Sequence, residues 1–434
     1  MQVVILAAGE GVRMRPFTYT NSKPVIKFAG TTVLEHNIRE LPKEVREVII
    51  VVGYLQEKIR KKIGDEFDGR KITYVEQRKQ IGNGHAMMLC EKKVRGKFLV
   101  FNGDDLYSGK DIKKLFQHNL CALVKKVADP STFGVYILNK KGKVIGFVEK
   151  PEKFVSDIAN IGCYLLDKRI FKYQLKKSER GEYEITDYIK YLVKDGIDFE
   201  IEKTSFWQPI GYPWNILDAN SILLSFIKKS EILGKVAKDA EISGLVKIGK
   251  GTTIGPGVVI EGPVIIGENC VIGPNCFIRL NTSIESNCHI GHAVEIKNSV
   301  IMKNTSVSHL SYVGDSVLGE NVNFGAGTIT ANLRHDGNSI GVKIKDQIVD
   351  STKEKLGCFI GDFSKTGVNT SLYPGVKLGP FSWTYPGACI KRDIEPFHIE
   401  KEKISFEKIE GLIKGERLIE DYDFEGLYKR LEKE

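Results

Sequence analysis

This sequence of 434 residues has no CxxC pair among its eight cysteines, no Gly-Lys-Ser/Thr triplet, no long basic run and no apolar stretch approaching a membrane span. The first absence argues against a disulfide framework, and the second excludes a P-loop. Sixty-four basic residues against 55 acidic ones give a net charge of +9, spread along the chain without aromatic-basic interleaving. A nucleic-acid partner is therefore not expected; small anionic substrates fit the balance, and so does a plain lysine-rich surface. The opening Met1–Leu6 is apolar but short and lacks a basic n-region. No secretion signal and no membrane association are read, and the expected location is cytoplasmic. The length exceeds one ordinary core, so two domains are expected.

What the chain does have is a period of six. Ile242, Ile248, Ile254, Ile260, Ile266, Ile272, Ile278, Ile284, Ile290 and Ile296 fall six apart, and Met302 continues the series. Four residues after each stands a small or β-branched side chain, from Val246 and Thr252 to Val300 and Ser306. A hexapeptide period with no helical or two-residue alternation marks a β-helix, each hexad a short strand and a corner, three hexads a coil. The fold expected is a left-handed parallel β-helix with the isoleucines inside. Each buried aliphatic side chain contributes about 1.5–3 kcal/mol before chain entropy is subtracted. Cys270, Cys276 and Cys288 occupy the small inward place and read as buried structural thiols. His289 and His292 sit in register and read as structural. The register fails after Met302 and again over Asn332–Leu356, then returns with Ile360, Thr366, Leu372, Leu378, Thr384 and Ile390. Interrupted repeats are where binding residues can leave a coil without disturbing its core.

The amino-terminal half reads differently. Val3–Leu6, Val48–Val52, Ile72–Val75, Phe98–Phe101 and Ala122–Val127 are buried-strand candidates, with helices over Thr32–Glu40 and Gln56–Gly64. Alternating strands and helices predict an α/β sheet whose ligand lies beyond the strand carboxyl ends. There Ala7-Ala8-Gly9-Glu10-Gly11 follows the first strand; Met14 stands where a dinucleotide fingerprint has its third glycine. Glycine backbone can approach a triphosphate closely, and Arg13 and Lys23 can neutralise it.

The stretch Leu6-Ala7-Ala8-Gly9-x-Gly11-x-Arg13-Met14 with Lys23-Pro24 resembles the signature of the sugar-1-phosphate nucleotidyltransferases. The likeness runs on through Gln77, Gln80–Ala86, Asn102–Asp105, Gly134, Glu149-Lys150-Pro151 and Asn160-Ile161-Gly162. Together with the hexapeptide half, nearly the whole chain resembles the bifunctional uridylyltransferase/acetyltransferase family of N-acetylglucosamine activation. That resemblance implies a Rossmann-like α/β nucleotidyltransferase domain over 1–225, a linker helix over 226–238, a β-helix acetyltransferase domain over 239–397 and a charged tail over 398–434. It implies acetyl transfer from acetyl-CoA to glucosamine-1-phosphate (or galactosamine-1-phosphate), then uridylyl transfer from UTP (or dTTP) with pyrophosphate release.

By the same resemblance Ala7, Gly9, Gly11, Gln77 and Gly82 bind the nucleotide, Arg13 holds pyrophosphate and Lys23 the phosphates at the reacting centre. Asp104, with Asn215, holds Mg²⁺, while Gly134, Glu149 and Asn160 hold the sugar; His85 reads as scaffold. In the carboxy-terminal half His309 is the implied general base. Arg279, Lys297, Tyr312, Asn323 and Asn332 bind the sugar phosphate, and Ala326 and Tyr385 meet acetyl-CoA. A homotrimer is implied, with the acyl site between neighbouring β-helices.

Three departures stand out. Pro209 replaces an aspartate of the segment Trp-x-Asp-Ile-Gly, Val12 replaces a threonine, and Asn338 stands where relatives carry a lysine, with Lys343 or Lys345 left to reach the site. Asn215 either supplies an amide oxygen to the metal or caps the helix beginning at Ile216. Pro209 favours a rival in which the nucleotidyl domain is vestigial. Another rival makes the β-helix structural, and a third makes the chain a non-enzymatic scaffold, against which both sets of site residues argue. The tail is highly charged, with helical patterning in Ile409–Ile419 and Phe424–Leu431; it either covers the open β-helix end or stays flexible.

Overall fold

Strand Gln2–Ala7 lies at the centre of a ten-stranded sheet, flanked in parallel by Lys97–Asn102 on one side and Glu47–Val52 on the other, with Arg70–Glu76 beyond. Its side chains alternate between two cores. Val4 packs with Phe98, Tyr136 and Tyr188 on one face; Val3 and Ile5 pack with Leu34, Ile38 and Phe101 on the other. Burial on both faces explains why the strand reads as a continuous apolar run. Ile158–Asp167 joins antiparallel beside Lys97–Asn102 and carries Gly134–Leu138 and Val144–Glu149 at the sheet's edge. Helix Val33–Glu40 starts on a capping box, Thr32 Oγ1 accepting from Glu35 N–H and the Glu35 carboxylate from Thr32 N–H. The order places the parallel direction's switch at Gln2–Ala7, where α/β ligands bind.

The computed structural model describes residues 1–401, 405–408 and 423–432. It divides into two compact units. Met1–Glu10, Ser22–Val25 and Thr32–Pro209 form the first; Gly11–Asn21, Ile26–Thr31 and everything from Ile210 form the second. The segment after the first strand, expected in the nucleotidyltransferase domain, thus clusters with the β-helix unit.

Three parallel sheets wind the β-helix, beginning at Glu231–Ile232, Lys235–Val236 and Glu241–Ser243. Ile248, Ile266 and Ile284 stack on the first face, Ile254, Ile272 and Ile290 on the second, and Ile260, Ile278 and Ile296 on the third, all buried. The linker helix expected over 226–238 is absent. Helix Asn215–Ser225 ends before it, and Glu231–Ile232 and Lys235–Val236 are already rungs. Their edge groups find partners on the first full coil, and a Cβ at Gly234 would stand 2.5 Å from the Thr252 carbonyl, room that only glycine leaves.

Met302 does not continue the register. Ile284 pairs with Ile301, Ile290 with Val307 and Ile296 with Val313, so the coil shortens by one residue before Met302. A second five-residue step puts Leu318 on Ile301. Thr305, not Ser306, takes the small inward place, its hydroxyl donating to the Gly319 carbonyl and accepting from Val322 N–H. Residues 308–328, expected to break the repeat, therefore stay within it. The real interruption is 332–356, which carries the hairpin Gly341–Ile344/Gln347–Asp350 and lets Leu318 pair with Ile360 and Thr330 with Leu372.

Corners demand left-handed backbone, which asparagine and glycine tolerate. Along one corner Asn269, Asn287, Asn304 and Asn321 all have positive φ, and their amides link coil to coil at 3.2 Å (Asn287–Asn304) and 3.1 Å (Asn304–Asn321). The same corner then changes chemistry: Phe363, Phe381 and Phe397 take the positive-φ places and stack at 4.7 and 5.0 Å between centroids. Phenylalanine at positive φ is uncommon, and here a cover rewards it. Leu427 of helix Phe424–Leu431 is buried with Tyr19, Phe381 and Phe397. The tail's last helix thus covers the last coils; the patterning in Ile409–Ile419 lies outside the described residues. Among the described residues no helix is long and apolar enough to cross a membrane.

Candidate functional site

In the first unit several of the residues expected at the nucleotide lie just beyond the strand ends. Gly9 follows Gln2–Ala7 and faces open space: a Cβ there would meet nothing within 4 Å. Protein packing does not demand glycine at that place, whereas a closely approaching ligand would. Beyond Lys97–Asn102 stands Asp104, 38 % exposed at its side chain, with Lys23 Nζ 2.5 Å from its Oδ2. The lysine is almost fully buried and the carboxylate reaches solvent. Gln77, buried, donates to the Gly82 carbonyl at 3.0 Å and contacts His85 Nδ1 at 3.1 Å. Gly82 lies against the Tyr183 backbone, where a Cβ would come within 2.2 Å of a carbonyl.

The three residues expected to hold the sugar also converge. Gly134 pairs directly with Glu149, and one strand over Val135 pairs with Ala159, the neighbour of Asn160. Asn160 Oδ1 accepts from Gly162 N–H at 3.2 Å, and its amide donates to Tyr164 OH at 2.8 Å. Pro209 lies opposite Asp105 in the pairing of Trp207–Pro209 with Asp105–Tyr107. Asp105 instead takes a hydrogen bond from Trp207 Nε1 at 3.2 Å. A proline offers no ligand atom and Asp105 is buried, so the carboxylate that reaches solvent here is Asp104's. Mg²⁺ is satisfied by one or two carboxylates plus substrate phosphates, and the exposed oxygens of Asp104 fit that demand. Among the described residues no cluster of three or more His, Cys, Asp or Glu could hold a metal by itself.

Gly11, Arg13 and Asn215 belong to the second unit. Gly11 has φ 69° and opens the turn Val12–Met14, closed by Met14 N–H to the Gly11 carbonyl at 2.8 Å and by Thr18 Oγ1 to the same carbonyl at 2.9 Å. The Arg13 guanidinium sits over the Tyr212 ring at 5.2 Å. Tyr212 in turn stacks on Trp214. Asn215 Oδ1 accepts from both Gly211 N–H (3.1 Å) and Tyr212 N–H (2.9 Å). Both lone pairs are thereby engaged. The amide expected to ligate metal, or to cap the helix at Ile216, instead closes the Gly211–Tyr212 loop beneath Arg13.

On the β-helix, Lys297, Tyr312 and Asn332 gather round Asp315, with Arg279 beside Tyr312. Lys297 Nζ is 3.2 Å from Asp315, Asn298 donates to it at 2.7 Å, and Asn332 donates both to Asp315 (2.5 Å) and to Tyr312 OH (3.1 Å). Arg279 pairs with Glu295 at 2.8 Å, which holds its guanidinium firmly charged. Burial, with Asp315 nearby, pushes the Tyr312 hydroxyl above its usual range, so it stays a donor. Sequence reasoning missed Asp315 as the hub. The signal was there: Asn281, Asn298 and Asp315 share one corner, each at positive φ.

His309 is exposed at the end of strand Ser306–His309. The chain turns at Leu310, and Gly327 N–H bonds to the His309 carbonyl. Ala326 therefore holds the same corner place one coil on, about 4.8 Å along the axis, and among the described residues no acceptor takes its N–H. Asn323 lies on the His309 face, stacked on Ser306. Further along that face Tyr385 lines a groove of about 260 Å³ with Lys365, Gly367, Trp383 and Pro386, Lys365 lying over the Trp383 ring. Asn338 turns within an exposed loop, and Lys343 and Lys345 sit on the hairpin. Lys353 and Lys355, not those two, line a cavity of about 300 Å³ with Lys297 and Asp315.

As folds and sites, the two units define a class: a nucleotide-activating α/β transferase in tandem with a hexapeptide acyltransferase. The family described as Nucleotidyl transferase matches residues 2–225, and the GMPPB C-terminal domain family matches residues 260–353. A curated relative from Methanocaldococcus jannaschii, "Bifunctional protein GlmU", is 40% identical over 94% of this chain and 100% of its own length. The protein of that name from Methanococcus maripaludis strain C7 is 46% identical, over 91% of this chain and 96% of its own. "Bifunctional sugar-1-phosphate nucleotidylyltransferase/acetyltransferase" from Sulfurisphaera tokodaii is 38% identical over 91% and 98%. The chain belongs to this family of bifunctional sugar-1-phosphate nucleotidylyltransferases/acetyltransferases.

Proposed function

We propose that the chain makes UDP-N-acetylglucosamine in two steps. Acetyl-CoA first acetylates glucosamine-1-phosphate at the β-helix, and UTP (or dTTP) then activates the product at the α/β unit. In the first step the sugar amine attacks the thioester carbonyl while His309 takes the proton its nitrogen loses, the C–S bond breaks, and coenzyme A leaves as thiolate. Imidazole suits this because its ordinary pKa lies nearest neutrality. The N–H of Ala326, one coil from His309, is our candidate donor to the developing oxyanion, and such a donor is worth about 3–4 kcal/mol of barrier. Arg279, Lys297, Tyr312, Asn323 and Asn332 hold the sugar phosphate, and the groove at Tyr385 takes the distal part of acetyl-CoA.

In the second step a phosphate oxygen of the N-acetylated sugar attacks the α-phosphorus of UTP, the α–β bridge breaks, and pyrophosphate leaves. No covalent intermediate with the chain is needed; position and charge supply the catalysis. Ala7, Gly9 and Gly11 admit the nucleotide, Gln77 and Gly82 read its base, Lys23 neutralises charge at the reacting phosphate, and Arg13 holds the pyrophosphate. Gly134, Glu149 and Asn160 hold the sugar. When bound, Mg²⁺ would neutralise phosphate charge, with Asp104 as its protein ligand; Asn215, whose oxygen is engaged, is left out. We take the enzyme to be a cytoplasmic homotrimer that uses neither nucleic acid nor membrane.

One observation carries the proposal: the separated sequence positions Lys297, Tyr312 and Asn332 meet around one buried carboxylate, in a chain that covers the whole length of its Methanocaldococcus jannaschii relative. Mg²⁺-dependent pyrophosphate release from UTP and N-acetylglucosamine-1-phosphate tests the second step, with Asp104→Ala as control. Coenzyme A thiol release from acetyl-CoA and glucosamine-1-phosphate tests the first. Absence of pyrophosphate release from folded protein, across several nucleotides and sugar phosphates, would leave the acetyltransferase with a vestigial partner domain.

A further inference from the structure

The Arg13 turn is carried by a segment seated on the β-helix. Within the second unit, Thr20 Oγ1 donates to Asp362 Oδ2 at 2.7 Å, a bond buried at both ends. Asp362 stands at the β-helix corner just before Phe363 and is itself fixed, its Oδ1 accepting from Glu320 N–H at 2.8 Å. Phe17 packs edge-on to Phe359 of the same coil, and Tyr19 is buried with Phe381, Phe397 and Leu427. The Arg15 guanidinium covers the Tyr19 ring, and Arg430 donates to the Tyr19 carbonyl. From this anchor the chain runs back through Thr18, whose hydroxyl holds the Gly11 carbonyl, to Arg13.

We infer that Asp362, through Thr20, is a positioning residue for nucleotidyl transfer. A β-helix carboxylate sets the turn that presents Arg13 to the departing pyrophosphate. The inference rests on the proposed role of Arg13. A short turn opened by one glycine and closed by two hydrogen bonds is not rigid alone; a rigid coil behind it supplies the constraint, and misplacing a phosphate-binding group by about 1 Å can cost two orders of magnitude in rate. Neither Thr20 nor Asp362 is among the residues assigned to acetyl transfer, although Trp383 of the Tyr385 groove packs against the cluster that buries Tyr19.

The reverse reaction reads Arg13 directly. With full-length enzyme, Thr20→Val should raise KM for pyrophosphate in pyrophosphorolysis of UDP-N-acetylglucosamine by roughly tenfold. KM for the nucleotide sugar and the rate of acetyl transfer should stay within twofold, and Thr20→Ser should restore the wild-type value. Should Thr20→Val also lose acetyl transfer through misfolding, Asp362→Asn, which keeps the volume, carries the same comparison. An unchanged pyrophosphate KM, or an equal rise in both KM values without rescue by serine, overturns the inference. Arg13→Ala run alongside separates the two claims. If it too leaves the pyrophosphate KM unchanged, the proposed role of Arg13 is wrong; if it raises that KM while Thr20→Val does not, only the positioning role of Asp362 falls.

Discussion

Asn332 donates to Asp315 at 2.5 Å although the two residues stand on successive coils of the third face. The asparagine lies at the mouth of the 332–356 insertion, and the aspartate at the corner where Lys297 and Asn298 also point. The insertion is thus tied to the regular coil at its first residue, and the tie falls on the face assigned to the amino sugar phosphate. Removing the carboxylate should disturb binding before chemistry. Asp315→Asn should raise KM for glucosamine-1-phosphate severalfold with a smaller change in kcat, since the group orders ligands without touching the reacting amine. Steady-state acetyl transfer checks this split.

His309→Ala should lower kcat for acetyl transfer by roughly 10²–10⁴-fold, the contribution of a positioned general base. Pyrophosphate release from UTP should not change. An equal loss in both activities would mean that His309 supports folding.

Lys23 Nζ and Asp104 Oδ2 form a close pair. Lys23→Ala should depress uridylyl transfer by at least tenfold and spare acetyl transfer, as expected where catalysis is charge placement. Measuring both activities on one preparation makes the comparison.

The interior isoleucines predict stability. Ile278→Ala removes a fully buried side chain from the third face and should cost about 2–5 kcal/mol, the range for a core cavity. Ile145, exposed at the edge of the other unit's sheet, should tolerate alanine within about 0.5 kcal/mol. Urea unfolding of each variant reads the difference.

Asp111 predicts a pH dependence. Burial alone would raise its carboxyl pKa, but hydrogen bonds from Lys114, Ser205 and Thr204 outweigh it and hold the pKa well below the usual range. A depressed carboxylate contributes stability that is full above its unfolded pKa of about 3.9 and lost as pH falls below it. Wild type should therefore lose stability below about pH 4 more steeply than Asp111→Asn. Parallel acid titrations followed by circular dichroism check the slopes.

Much of this was legible in order of residues. The isoleucine period located the β-helix, since any side chain six residues on must face the same interior. The same series misplaced Met302, because a corner can lose one residue while its backbone stays left-handed. The corner asparagines recorded that loss: Asn287 is followed by Ala293 after six residues and then by Asn298 after five. A helix read over 226–238 was wrong because pairing with the first coil satisfies those backbone groups.

What the sequence determined by itself was therefore periodic or contiguous: both fold classes, the glycine turn after the first strand, and the residues matching the family's motifs. What only the tertiary structure decided was which distant groups meet. Asp315 gathers Lys297 and Asn332, Asn215 closes the loop under Arg13, and Thr20 bonds to Asp362 across most of the chain's length. Periodicity reports the side of an element on which a side chain lies. A hydrogen bond between residues hundreds of positions apart depends on how coils and insertions add up in space, and a one-residue slip changes that sum without leaving a mark at either end.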